Sequence, residues 1–494
     1  MKLVDALDSK SSGSDTVPVR FRPRAPTKRT NFDYHVKVFL LTKGCIIDRE
    51  ALTYMKRRVI IFPILTMVIS LVACSTSTRK EYAGVKQLRN PEKLAHTVTV
   101  DELRSSEYLA FRAKMTAFSS KLSEVIAKRE YKSGENFVVS PLSCELCLGL
   151  AIRSSSGNTR QELLDAMDMD YDSFNANYKI FYNSLEREIK NNMDKITSRL
   201  LLTNSIWIDD EVTLKDSGLD ALKDDYYCYS YEADFNHNNK EANEAIQDFV
   251  KDKTKGLIDQ NLDLSPETLF VLMNTLYLKD IWNDDGRNLD YAHSVYKFTN
   301  SDGIKSNKQL LDGYYNDGKA ISNDDYSCFY TATNNGYNIY FVKANDGKNL
   351  KDVFNKDTIG YVIDSNNYVY QDDEKLEIYH TKCIFPEYDV KSDIDLRKVF
   401  MEEFDVKSIF NETCNMSNLS DDDVYCSDFK QIARLKVDKK GIEGAAVTYM
   451  AYAGAVGPGP YTNVYEDFVV DQEFGYILTY GQDIIFSGIV TNID

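Results

Sequence analysis

Histidine, the side chain best suited to proton transfer near neutral pH, occurs five times in 494 residues, as His35, His96, His237, His293 and His380. None shares a metal-ligand spacing with another, and none lies near a nucleophile motif. The sequence holds no Gly-x-Ser-x-Gly, no His-Glu-x-x-His and no phosphate-cradling glycine-rich loop. Nucleophiles need an adjacent activating group, so no enzyme, no metal site and no cofactor is expected. The thiols are more varied. Cys144-Glu-Leu-Cys147 has the spacing of a redox pair but sits inside the apolar run Leu142 to Ile152, where buried helical cysteines are expected instead. Cys414 and Cys426 flank Asp421-Asp422-Asp423. Two readings stay open there: a disulfide closing a surface loop, or free thiols beside a solvated acidic run.

Cys74 has the most informative neighbours. Met55-Lys56-Arg57-Arg58 precedes fifteen mostly apolar residues, Val59 to Ala73, which close as Leu71-Val72-Ala73-Cys74-Ser75. A basic stretch, an apolar stretch and a small-residue cleavage site in that order form an export signal. The run is shorter than the roughly 18 residues a spanning helix needs. It resembles a bacterial lipoprotein signal, 55–74, which implies Cys74 as the lipidated new N-terminus. The body is then exported and lipid-anchored at the cell membrane or surface, with no other membrane contact. Residues 1–54 fit nothing downstream: Arg20-Phe21-Arg22-Pro23-Arg24 is basic and irregular, and Met55 reads as the true start. Residues 75–106 open on a polar run without apolar periodicity and are expected to be a flexible tether.

Charge is divided unevenly along the chain. The whole carries 59 basic and 76 acidic side chains, but from Ser75 onward the balance is 46 to 70, or −24. Such a body suits no nucleic-acid partner. At 43% hydrophobic and 27% charged it is globular in composition. No Pro/Ser/Gly-rich linker interrupts 107–494, so one domain is expected.

The elements that must position any site are mixed. Phe118, Leu122, Val125 and Ile126 mark an amphipathic helix ending before Gly134. A second helix opens at Pro141, and a third follows Gly157 through Leu163, Leu164 and Met167. Strand-like runs cover Arg199 to Ile208, Thr268 to Leu278, Tyr337 to Val342, Leu376 to Phe385 and Ile432 to Val437. Without a regular βαβ rhythm the fold class is α+β.

Five segments, in order, resemble one family. They are Asn136-Phe-Val-Val-Ser140-Pro141-Leu142-Ser143 with Gly157-Asn158-Thr159, then Ala245 to Val250 leading into Thr254-Lys-Gly256-Leu257-Ile258, and Val271-Leu-Met-Asn274-Thr-Leu-Tyr-Leu-Lys-Asp-Ile-Trp282. Val437-Asp-Lys439-Lys-Gly441-Ile442-Glu443-Gly444-Ala445-Ala446 follows, and Phe468 to Phe474 with Ile485 to Val490 closes the set. Together they resemble a serpin over residues 107–494. That resemblance implies three β-sheets, eight or nine helices, and an exposed reactive loop between the hinge and the C-terminal strands. The loop residues themselves agree: Gly441 to Phe474 is long for a passive connection and rich in turn formers, including Gly457-Pro458-Gly459-Pro460.

As a strand, the hinge would turn Ile442, Gly444, Ala446 and Thr448 to one side and Glu443, Ala445, Val447 and Tyr449 to the other. The first set is uncharged, as entry into a crowded sheet requires. The resemblance implies a suicide-substrate inhibitor of serine proteases. The loop is attacked, an acyl-enzyme forms, and loop insertion distorts the enzyme before deacylation. Fourteen positions past Gly441 the scissile bond would fall at Ala455-Val456, with Met450 and Tyr452 as fallback sites. Small residues there fit an elastase-like or subtilisin-like target, and the same trapping on a thioester leaves cysteine proteases open. Ser140, Ser143 and Asn274 match the polar cluster beneath the main sheet (the shutter), with Gln431 in place of the family's histidine. Trp282 matches the tryptophan at the top of that sheet (the breach), where insertion begins. Ile442 stands where the hinge usually has Thr or Ser, Lys439 where it usually has Glu, and Glu473 where the C-terminal motif usually has Pro. A monomer is expected. The alternative is a non-inhibitory binding protein of the same fold, cleaved as a plain substrate.

Overall fold

The computed structural model describes residues 81–91, 97–191, 194–283, 287–443 and 461–493. Cys74, Gly444 to Thr448, Met450, Tyr452, Ala455 and Val456 lie outside them, as do 1–54 and the signal segment.

Local sequence explains the main helices. Helix α1 (Val100–Arg104) is closed by a capping box between Thr99 and Glu102. Ser105 then caps α2 (Ser106–Glu130), whose Phe111, Met115, Phe118, Leu122 and Ile126 recur every three or four residues and are buried. In α3 (Pro141–Ser154) proline occupies the first turn and the Ser140 hydroxyl accepts from the Ser143 amide. Cys144 and Cys147 are buried on it as free thiols. Helices α4 (Asp216–Tyr226) and α5 (Asn239–Lys253) complete those needed below.

The strands that matter, in chain order, are β1 (Val85–Arg89), β2 (Phe137–Val139), β3 (Ile196–Asp209), β4 (Cys228–Ala233), β5 (Phe270–Ile281), β6 (Leu311–Asp317), β7 (Tyr337–Ala344), β8 (Glu377–Phe385), β9 (Tyr388–Asp395), β10 (Lys430–Asp438), β11 (Gly441–Glu443), β12 (Thr462–Val469), β13 (Phe474–Tyr480) and β14 (Asp483–Val490). The largest sheet runs β1-β4-β3-β5-β11-β10-β9. Its two halves are well paired, β3 with β5 from Arg199↔Lys279 to Ile208↔Phe270, and β9 with β10 along their whole lengths. Between the halves, among the described residues, only three-residue β11 makes pairs, meeting β5 at Ile281 and Asp280 and β10 at Asp438, Val437 and Lys436. A second sheet places β13 and β14 between β7 and β2. In the third, β8 pairs with β12 in parallel and with β6 in antiparallel. One buried cluster joins α2, α3 and the inner faces of these sheets.

One sequence expectation needs correction. The segment expected to be a tether, 75–106, is ordered structure where it is described: β1 pairs with β4, and Tyr82 is buried against Trp207, Tyr231 and Phe249. Its apolar residues are too few to show periodicity, and their partners lie over a hundred residues away, so local pattern carried no signal. Of the two readings left open at Cys414 and Cys426, the structure has the free thiols, and the Cys426 thiol donates to the Asp428 carbonyl at 3.1 Å. The described residues form ten α-helices, one-turn pieces such as Leu350–Val353 among them.

Candidate functional site

The β10–β11 hairpin builds the upper half of the site. Asp438 starts a tight turn, and its carboxylate accepts from the Lys440 amide at 2.7 Å. The chain then re-enters at Gly441, where a Cβ would stand 1.9 Å from the Asp280 carbonyl oxygen. Only glycine permits that approach. Ile442 follows with 1% of its surface exposed, inside the core. Glu443 turns the other way and accepts a hydrogen bond from the Tyr277 hydroxyl at 2.8 Å. Burial and that carboxylate both push the Tyr277 hydroxyl well up. Ile442 and Glu443 thus face opposite sides of the sheet.

Around this wedge the top of the sheet is cross-linked by polar groups. The Trp282 indole N–H donates to the Asp438 carbonyl at 2.7 Å, while its ring packs on Phe385. Lys439, despite replacing an acid, lends its backbone amide to Glu387 at 2.9 Å. Asp280, the strand neighbour of Ile442, is 1% exposed. Burial pushes its carboxyl up to about 6, against hydrogen bonds from Thr333 Oγ1 and from the side chain and backbone of Asn335.

Below the wedge, a cavity of about 240 Å³ lies between β5 and β10, lined among others by Leu272, Leu276 and Ile258 and by the residues expected to form the shutter. Ser140, Ser143, Asn274 and Gln431 all meet it. Gln431 clamps α3 to β10 at two points: its Oε1 accepts from the Ser140 amide at 2.7 Å and its Nε2 donates to the Ser140 carbonyl at 2.8 Å. Glutamine thus serves as donor and acceptor together, without titrating near neutrality. Ser140 Oγ donates to the Ile485 carbonyl at 2.8 Å, and Asn274 Nδ2 to Asn204 Oδ1 at 2.9 Å. Among the described residues, Asn274 Oδ1 is buried without a hydrogen-bond partner.

Sequence reasoning missed Asp280, Asn204 and the Tyr277–Glu443 bond. Asp280 was the findable one, as a lone acid in the apolar run Phe270–Ile281. Asn204 and Tyr277 carry no local signal, because their partners come from distant strands. The carboxylates of Asp209, Asp210 and Asp234 also converge. Asp209, however, already accepts from the Glu211 and Phe235 amides and serves the local turn.

Among the described residues, the largest sheet thus has two well-paired halves bridged at one end by β11, with a cavity beneath that strand. Residues 113–493 match the family model described as Serpin (serine protease inhibitor). The chain is a serpin. Its relatives include Iripin-1 of Ixodes ricinus, 25% identical over 380 residues that make up 73% of this chain and 89% of that protein. Among solved structures, AtSerpin1 of Arabidopsis in its native stressed conformation shares the fold at TM-score 0.62, with 17% identity over 78% of this serpin and 99% of that chain. Human thyroxine-binding globulin, solved in complex with its thyroid hormone ligand, shares it at TM-score 0.61, with 17% identity over 78% and 99%. Serpins are mostly protease inhibitors rather than enzymes, and such non-inhibitory members mark the range of the fold. Among the described residues of this serpin, no helix is long and apolar enough to cross a membrane.

Proposed function

We propose that this serpin is a suicide-substrate inhibitor of serine proteases of small-residue specificity, elastase-like or subtilisin-like. The observation that supports it most is β11. Ile442 is seated between β5 and β10 with the cavity directly below, so insertion of the following residues would extend a strand already begun. Bulk at Ile442 is thereby accommodated, since the side chain fills core space instead of blocking entry. Gly444, Ala446 and Thr448 would be the next inward residues, and none carries a charge that burial would oppose. Attack at Ala455-Val456 would form the acyl-enzyme. Insertion would then carry the bound protease away from the loop's exit and distort the oxyanion hole on which deacylation depends. The signal at Met55 to Cys74 supports export and a lipid anchor on Cys74, which would station a monomeric inhibitor at the cell surface.

The test is to incubate the protein with pancreatic elastase and with subtilisin, separate the products under denaturing conditions and weigh the released C-terminal peptide. A covalent product of the summed mass, with release of a peptide beginning at Val456, is the expected result. Complete cleavage with no covalent product from either enzyme would refute inhibition and leave the plain-substrate reading.

A further inference from the structure

A second cavity, of about 370 Å³, lies at the top of the main sheet, on the side to which Glu443 turns. It is bounded by the approach to β3, the end of β5 and the β10–β11 hairpin. Register explains which side chains meet there. Lys436 stands opposite Glu443 and so shares its face. Lys279 lies two residues along β5 from Tyr277, whose hydroxyl reaches Glu443, so it faces the same way. The hairpin turn adds Lys440, and Lys195 comes from the segment before β3.

Positive charge is left over in this cavity, because each carboxylate that meets it already has a partner. Asp438 pairs with Lys436 at 2.9 Å and accepts from the Lys440 amide. Glu443 accepts from Tyr277, and the Asp280 carboxyl turns into the core to Thr333 and Asn335. By contrast, the side chains of Lys195, Lys279 and Lys440 make no ion pair or hydrogen bond among the described residues. Four ammonium groups thus meet two outward carboxylates, although the body from Ser75 onward carries −24.

Like charges gathered in one concavity raise the local concentration of counter-ions. Lysine binds phosphate and carboxylate oxygens as a point charge, and the side-chain amide of Asn288 adds a neutral donor to the wall. The volume is that of a small-molecule site, which sets the size of the ligand.

We propose that this cavity binds a small polyvalent oxyanion, a molecule with two or more phosphate or carboxylate groups, held between Lys195, Lys279 and Lys440. Such a ligand touches β5, the hairpin turn and β11 together, since Gly441, Ile442 and Glu443 form part of the wall. It thereby holds the hinge in its seated position, because a ligand that contacts one state stabilises that state alone. The site is built from the described hinge, and it stands whether or not the serpin traps a protease.

The experiment is isothermal titration of the full chain with pyrophosphate and with citrate, at low and high salt. Four forms are compared: wild type, Lys279→Gln/Lys440→Gln, Lys279→Arg/Lys440→Arg, and Lys297→Gln/Lys305→Gln. The last removes the same charge from exposed positions on a hairpin elsewhere. Wild type should bind one equivalent of probe, more weakly as salt rises. The Lys279/Lys440 glutamine pair should weaken binding at least about tenfold, as the loss of two charged contacts implies. The arginine pair and the hairpin pair should bind nearly as wild type does. In wild type, amide exchange at Ile442 and Glu443 should slow about tenfold with the probe at about ten times its dissociation constant. Pyrophosphate binding without citrate binding would assign the ligand class to phosphates, and the reverse to carboxylates. No saturable binding of either probe to wild type would overturn the site. Equal weakening in the two glutamine pairs would also overturn it, since attraction to the whole surface would then explain the binding. Binding with unchanged exchange at Ile442 and Glu443 would overturn the hold on the hinge.

Discussion

Gly441→Ala should unseat the hinge. The new Cβ would stand 1.9 Å from the Asp280 carbonyl oxygen, a backbone atom of the central strand β5 that has no freedom to retreat. Relief comes by withdrawing β11 from β5, which breaks the pairing at Ile281 and Asp280 and returns Ile442 to solvent. Two cross-strand hydrogen bonds at about 1 kcal/mol each and about 2 kcal/mol for the isoleucine side chain sum to about 4 kcal/mol. That corresponds to about a thousandfold in the ratio of seated to unseated hinge. Ile442→Ala is the calibrating control, since it leaves the backbone pairing intact and removes only the burial term, about thirtyfold. Amide hydrogen exchange read by mass spectrometry on peptides covering 436–443 reports both. Amides of Ile442 and Glu443 that remain as protected in the alanine variant as in wild type would refute the wedge.

Asp280 and the N-terminal strand give two further tests. A carboxyl raised to about 6 from an ordinary value near 3.8 penalises the folded state when ionised. The native protein should therefore be most stable below about pH 4 with respect to this group, and should lose on the order of 3 kcal/mol as pH rises through 6. Denaturant midpoints from pH 4 to pH 7.5 should show the gap between wild type and Asp280→Asn changing by that amount, and a gap that does not move with pH would sink the assignment. Tyr82→Ala removes a ring packed on Trp207, Tyr231 and Phe249 and a hydroxyl that donates to Asp252. A local loss of about 3 kcal/mol is expected, seen as faster exchange in β1 and α5, with unchanged exchange counting against the packing.

The fold was legible in the sequence to the extent that its burial is periodic. Helices α2 and α3 and strands such as β5 and β8 showed the right spacing, and the ordered serpin-like segments gave topology that spacing alone does not. Ser140, Ser143, Asn274 and Gln431 could be singled out one at a time through that resemblance, but not the two-point clamp of Gln431 on Ser140, which depends on two segments 291 residues apart. Illegible too was the meaning of Ile442. Out of context it is a bulky residue at an entry point, and in the fold it is core. Tyr82 illustrates the same limit, because a lone aromatic in a polar stretch gains its role from Trp207, Tyr231 and Phe249.

The middle of the second sheet sets a constraint on biosynthesis. Strands β13 and β14 sit between β7 and β2, yet β14 lies more than 340 residues beyond β2 in the chain. At about 5–20 residues per second of synthesis, β2 and the helices around it wait on the order of tens of seconds for the strand that completes them. Through that interval the edges of β2 and β7 that face the missing strands present unpaired backbone groups and apolar side chains, a hazard for aggregation while the ribosome is still at work. A newly made chain of this protein is thus a natural client for holding chaperones until β13 and β14 have emerged and can pair.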